Sequence, residues 1–82
     1  MNDEVVVTFE STHHALSTQK SLTEQALPFR VIPTPVELSS NCGIALLISK
    51  ETAGACSMVS NVSLTTVRFH GNKIEILGPY ID

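Results

Sequence analysis

The sequence predicts an α+β domain in which two helices cover one face of an antiparallel sheet. Three observations carry that prediction. Val5-Val6-Val7-Thr8-Phe9 is a short, continuous β-branched and aromatic run, as in a strand buried on both faces. Ile44-Ala45-Leu46-Leu47-Ile48 is a second such run, apolar enough to be central. Each is followed by a segment compatible with a helix, and the chain closes on alternating strand patterns. The order β-α-β-β-α-β is the split βαβ, or ferredoxin-like, arrangement, with right-handed crossovers.

The elements follow one by one. Glu10-Ser11-Thr12 ends the first strand, and Ser11 and Thr12 are both good helix N-cap residues. From His13 to about Ala26 the chain suits a helix. Ala15, Gln19, Leu22 and Ala26 share one face, flanked by Leu16 and Leu27, and Thr18, Lys20, Ser21 and Gln25 lie opposite. Pro28 ends it, because the residue before a proline is pushed out of the α region. Phe29-Arg30-Val31-Ile32 alternates as a strand, and Pro33-Thr34-Pro35 stops it. Val36 to Asn41 reads as a loop or one short turn. Ser49 caps a second helix running through Ala55, Cys56 and Val59 toward Val62, weakened by Gly54. Thr65 to Phe69 and Lys73 to Leu77 both alternate around a hairpin turn at His70-Gly71-Asn72, and Gly78 to Asp82 is extended.

Size and charge exclude several functions. The 82 residues make one small domain, residues 1–82, without room for a cleft between domains. Such a domain buries only about 60% of its unfolded surface, so any site is built on surface loops. The formal charge is −3 and the five Lys and Arg are scattered, so there is no basic stripe for nucleic acid and no polybasic membrane patch. No apolar stretch approaches the roughly 20 residues needed to span a bilayer. Met1-Asn2-Asp3-Glu4 lacks the basic and apolar regions of a signal peptide. The expected location is the cytoplasm, where two cysteines are thiols and not a structural disulfide.

Cys42 is the residue with chemistry to offer. It lies in the polar segment Ser39-Ser40-Asn41-Cys42-Gly43, directly before an apolar strand. Cysteines that fill space lie inside apolar patterns, whereas a reactive thiol needs access and partial ionisation. Gly43 permits an unusual backbone conformation or the close approach of another molecule. In the split βαβ order, the third strand runs between the first two in the opposite direction. The end of strand one, the start of helix one and the start of strand three then share one edge. Ser11, Thr12, His13 and His14 are expected near Ser39 to Gly43. There the helix N-terminus would favour a thiolate and one imidazole would assist it. Consecutive helix residues point about 100° apart, so at most one of the two histidines faces Cys42.

The blocks Val7-Thr8-Phe9-Glu10-Ser11-Thr12-His13-His14-Ala15-Leu16, Pro33-Thr34-Pro35 and Ser39-Ser40-Asn41-Cys42-Gly43, in that order, resemble a family of small bacterial selenium/sulfur carrier-like proteins. The resemblance covers Val5 to Leu47. Beyond it the chain departs, with an Ala/Ser/Val-rich second helix where relatives tend to be charged. The resemblance implies a carrier and not an enzyme with turnover of its own. Cys42 would hold sulfur or selenium as a persulfide or selenosulfide. A cysteine desulfurase or other donor would supply the atom, and an acceptor protein would take it, with no cofactor.

Other readings compete. The Ser11 to His14 edge could bind an anion in a small regulatory module without thiol chemistry. Cys42 and Cys56 could form a redox pair, although mid-helix placement makes Cys56 a core residue first. Two histidines, one cysteine and Glu10 match no zinc spacing, so no metal is expected. His70 belongs to a turn. An outer strand at Lys73 to Leu77 could pair with its twin in a homodimer.

Overall fold

The computed structural model describes residues 3–35, 38, 43–56, 62–71 and 73–80, the side chains of residues 55 and 56 apart. Five strands and two helices follow in the order β1 (Glu4–Phe9), α1 (Thr12–Glu24), β2 (Arg30–Pro33), β3 (Ile44–Ser49), α2 (Lys50–Cys56), β4 (Val62–His70) and β5 (Lys73–Pro79). The fold is α+β, built on one five-stranded sheet ordered β2-β3-β1-β4-β5. Every neighbouring pair is antiparallel. This is not the four-stranded sheet of the split βαβ reading. Gly71 takes a φ of 63°, a left-handed turn conformation natural to glycine, and the chain doubles back. β5 then joins the outer edge of β4.

β1 sits in the middle because it can be buried on both faces. Val5, Val6 and Val7 have no exposed surface. Val5, Val7 and Phe9 join Leu46 and Ile48 of β3 beneath Ala15 and Leu22 of α1 and Ala53 of α2. Both helices therefore cover the same face. Val6 points the other way and clusters with Ala45, Leu47 and Val67. Leu38, from the β2–β3 connection, packs on this second cluster with Ile32, Ile74 and Ile76.

Several boundaries differ from those expected. In α1 the buried positions are Ala15, Thr18 and Leu22, so Thr18 and not Gln19 completes the inward stripe, and Leu16 is 58% exposed. Thr18, expected on the opposite face, falls on the buried side because positions three and four residues from Ala15 lie on one side of a helix. The helix stops before Ala26, which takes a φ of 58° while the Leu27 N–H donates to the Leu22 carbonyl at 2.9 Å. That is a C-terminal cap of the Schellman type with alanine in the position glycine prefers. Pro33 belongs to β2, opposite Ile44, at an edge where its missing N–H costs no ladder bond. Val62 is not the end of α2 but the first residue of β4, opposite Phe9. β5 continues through Gly78 and Pro79, and a bulge between Thr66 and Val67 shifts its register. Ser49 does cap α2: its Oγ accepts from the Thr52 N–H at 3.3 Å.

One charged cluster ties the chain's beginning to its later elements. Arg68 donates to both Asp3 carboxylate oxygens, at 2.9 and 3.4 Å, and Lys50 stands 3.6 Å away. The Arg68 hydrogen bond, opposed by burial and aided by the neighbouring charges, holds the Asp3 carboxyl below its ordinary range and raises the Arg68 guanidinium.

Two outcomes are expected. Replacing Ala26 by glycine removes the left-handed penalty and raises stability by about 0.5–1 kcal/mol, read from urea denaturation. The Asp3 carboxyl titrates lower in the folded state than in the unfolded state. Its stabilisation is therefore fully present above the unfolded value near 3.8. It is lost as pH falls through the folded value. The stability gap between wild type and Asp3→Asn should be constant above about pH 5 and shrink on acidification; a gap independent of pH contradicts the pairing.

Candidate functional site

The sheet register brings three chain segments to one end of the molecule. Val7 pairs with Leu46, and continuing that ladder sets Phe9 level with Ile44. Ile44 also faces Pro33, and Phe9 faces Val62. The last residues of β1 and β2 and the first residues of β3 and β4 thus form one row. Glu10 and Ser11 lead from that row directly into α1. The β2–β3 connection springs from the same row, and its base is closed by the Thr34 N–H donating to the Gly43 carbonyl at 3.2 Å. Farther out, the Leu38 N–H donates to Pro35 O at 2.9 Å.

Ser11 is the N-cap residue of α1 by backbone geometry, with φ −151° and ψ 161°. Its side chain makes no capping bond. Its Oγ instead lies 3.2 Å from His14 Nδ1. The carbonyl of Ser11 accepts from the backbone N–H groups of His14 and Ala15. His14 is half-buried, while Thr12 and His13 are exposed. The two imidazole centroids lie 6.1 Å apart with ring planes inclined by 58°. The pair therefore divides: His14 is held by Ser11, and His13 faces water.

Gly43 is exposed, outside the left-handed region, and a Cβ added there meets nothing within 4 Å. The expectation of a special backbone conformation at Gly43 is not met. What remains of its suggested use is room for another molecule. Ser39, Ser40, Asn41 and Cys42 lie outside the described residues, as does Val59; α2 ends at Cys56, whose side chain is also outside them. Among the described residues no group of three His, Cys, Asp or Glu could hold a metal ion. No helix of the described residues is long and apolar enough to cross a membrane.

The family is decided by comparison with known protein families. Residues 4–77 match the family model described as "Putative Se/S carrier protein-like". The chain belongs to this Se/S carrier-like family. The match runs well past Leu47, so the second helix and the β4–β5 hairpin lie within the family's span. Neither the curated proteins nor the solved structures gave a significant match.

Sequence reading missed that Ser11 turns toward His14 instead of capping. The Ser-x-x-His spacing was the available signal, because N-cap and third helical residue are within side-chain reach of each other. Ser11→Ala should change the ratio of the two neutral His14 tautomers, seen in the ring nitrogen chemical shifts, while His13 stays as it is. An unchanged His14 ratio would show that the hydroxyl does not orient this ring.

Proposed function

We propose that this protein carries a sulfur or selenium atom on Cys42 and passes it between partner proteins. The observation carrying this reading is membership of the Se/S carrier-like family over residues 4–77. The row formed by Phe9 and Ile44 supports it, because covalent geometry keeps the Cα of Cys42 within about 7.6 Å of that of Ile44. On this reading the thiol works at the end of the sheet where α1 begins. The positive end of the helix dipole favours its thiolate. One of the two imidazoles assists it: His14, oriented by Ser11, or His13, which is exposed. Thr12, Ser39, Ser40 and Asn41 are the polar groups assigned to the same site on this reading. The four strands β4-β1-β3-β2, with both helices on one face, read as a ferredoxin-like core to which β5 adds an edge.

The transfer balances without an external oxidant. The Cys42 thiolate attacks the terminal sulfur of a persulfide on the donor, such as a cysteine desulfurase. A new S–S bond forms as the donor's S–S bond breaks. The donor leaves as a thiolate and Cys42 becomes a persulfide, whose terminal sulfur is then open to an acceptor thiolate by the same exchange. For selenium the atom carried differs and the bookkeeping does not. The cytoplasm, with its reduced thiols, suits this chemistry. No turnover beyond transfer is assigned to this chain.

Incubation of the reduced protein with a cysteine desulfurase and cysteine, followed by intact mass, tests the reading. We expect a gain of one sulfur that dithiothreitol removes, that Cys42→Ala abolishes and that Cys56→Ala preserves. Gly43→Ala should slow the gain without lowering stability, since the added methyl crowds only the incoming donor. A gain that survives Cys42→Ala, or none in any variant, refutes the carrier.

A further inference from the structure

The face of the sheet opposite the helices carries a hollow for which thiol transfer has no use. It measures about 560 Å³, within the range of roughly 300–1,000 Å³ typical of small-molecule sites. Its walls include Ile32, Leu47, Phe69 and Ile74, with Arg30 and Glu4 as charged members. Antiparallel sheets commonly turn polar residues outward where no helix covers them. Here Ile32, Leu47, Phe69 and Ile74 bring apolar surface to that face, and Phe69 stays 40% exposed. Arg30 and Glu4 form no ion pair among the described residues, whereas Arg68 is engaged by Asp3.

The ladder also fixes how the two charges are spaced. Arg30 is opposite Leu47, Leu47 is opposite Val6, and Glu4 lies two residues along β1. With strands about 4.8 Å apart and a rise of about 3.4 Å per residue, the two Cα atoms are on the order of 12 Å apart. One cation and one anion thus face an apolar floor from well-separated positions. We propose that the hollow binds a small amphipathic monocarboxylic acid. Its carboxylate meets the Arg30 guanidinium, which suits carboxylates in a bidentate fork. Its apolar body lies over Leu47 and Ile74 against the Phe69 ring. Glu4 at the far wall repels a second negative charge and so selects monoacids over diacids.

The test uses the full chain at neutral pH, with 8-anilinonaphthalene-1-sulfonate as fluorescent reporter. Decanoate and decanedioate, equal in length, serve as displacing ligands. Decanoate should displace the dye about tenfold more strongly than decanedioate, the difference one like charge near a protein surface produces. Glu4→Gln should bring the two acids within about twofold. Arg30→Gln should weaken decanoate about tenfold, and Arg30→Lys should retain part of the binding. Thermal melts check that each variant is folded, and amide shifts on adding decanoate should map to residues 30–32, 47, 69 and 74. Absence of displacement, equal binding of both acids to the wild type, indifference to Arg30→Gln, or shifts mapping to the helix-covered face would each overturn the proposal. So would a dimer whose dissociation on dilution parallels the appearance of dye binding, because the hollow would then be an interface between copies.

Discussion

The whole arrangement depends on β1 being paired on both sides and covered on both faces. A strand in that position needs apolar residues without alternation, and Val5-Val6-Val7 supplies them with no exposed surface. Pairing with β3 on one side and β4 on the other uses both rows of its backbone groups. The two apolar clusters are thus two faces of one strand. Because its neighbours run antiparallel to it, the end of β1 lies beside the beginnings of β3 and β4. A slip of one residue in the β1–β3 ladder would exchange the two faces and dissolve both clusters. The position of the candidate site is therefore a consequence of core packing and needs no separate device.

The two faces are closed by different means. On one, α1 and α2 bring Ala15, Leu22 and Ala53 down on Phe9, Leu46 and Ile48. Small residues at Ala15 and Ala53 let the helices approach closely. On the other, no helix lies among the described residues. The β4–β5 hairpin contributes Val67, Ile74 and Ile76, and the β2–β3 connection contributes Leu38. The bulge at Thr66/Val67 strengthens the local twist of the hairpin. A domain of this size has little interior to spend. Covering the second face with a hairpin and one leucine adds a second small core without a further helix. It also leaves the hollow between Arg30 and Phe69 unfilled.

The legible parts of this fold were those dictated by local pattern. The continuous runs at Val5 and Ile44 announced the two innermost strands, Pro28 the limit of α1, and Gly71 the hairpin. What escaped notice depended on partners far along the chain. Val62 looks helical in its own context and is a strand residue because Phe9 stands opposite it. Thr18, placed outward by the sequence pattern, lies three residues after Ala15 and four before Leu22 and is buried with them. Ser11 is an N-cap by type and position. Its hydroxyl went to the imidazole one turn on, because the same reach serves a ring nitrogen as well as an amide. The hollow could not be foreseen, since Glu4, Arg30 and Phe69 come together only through the registers of four strands. Among the expected site residues, the fold brings Ser11 and His14 together and sets Gly43 at the same end of the sheet. Cys42 itself was legible only as a thiol beside that end.

A carrier of one atom, the role proposed for this domain, makes modest demands on its scaffold. The cargo is held by a covalent bond, so no enclosed pocket is needed to retain it. What is needed is a thiol that two different proteins can reach in turn. The β2–β3 connection is tethered at Leu38 on the open face and at Gly43, where the Thr34–Gly43 hydrogen bond closes its base. Residues 39–42 bridge those two anchors. Among the described residues, and its chain neighbours aside, nothing lies within 4 Å of a Cβ added at Gly43. On the proposed role a donor sulfur would approach at this end of the sheet. The hollow's rim includes Pro33 and Pro35, which flank Thr34, so contact there adjoins the base of the β2–β3 connection that the Thr34–Gly43 hydrogen bond closes.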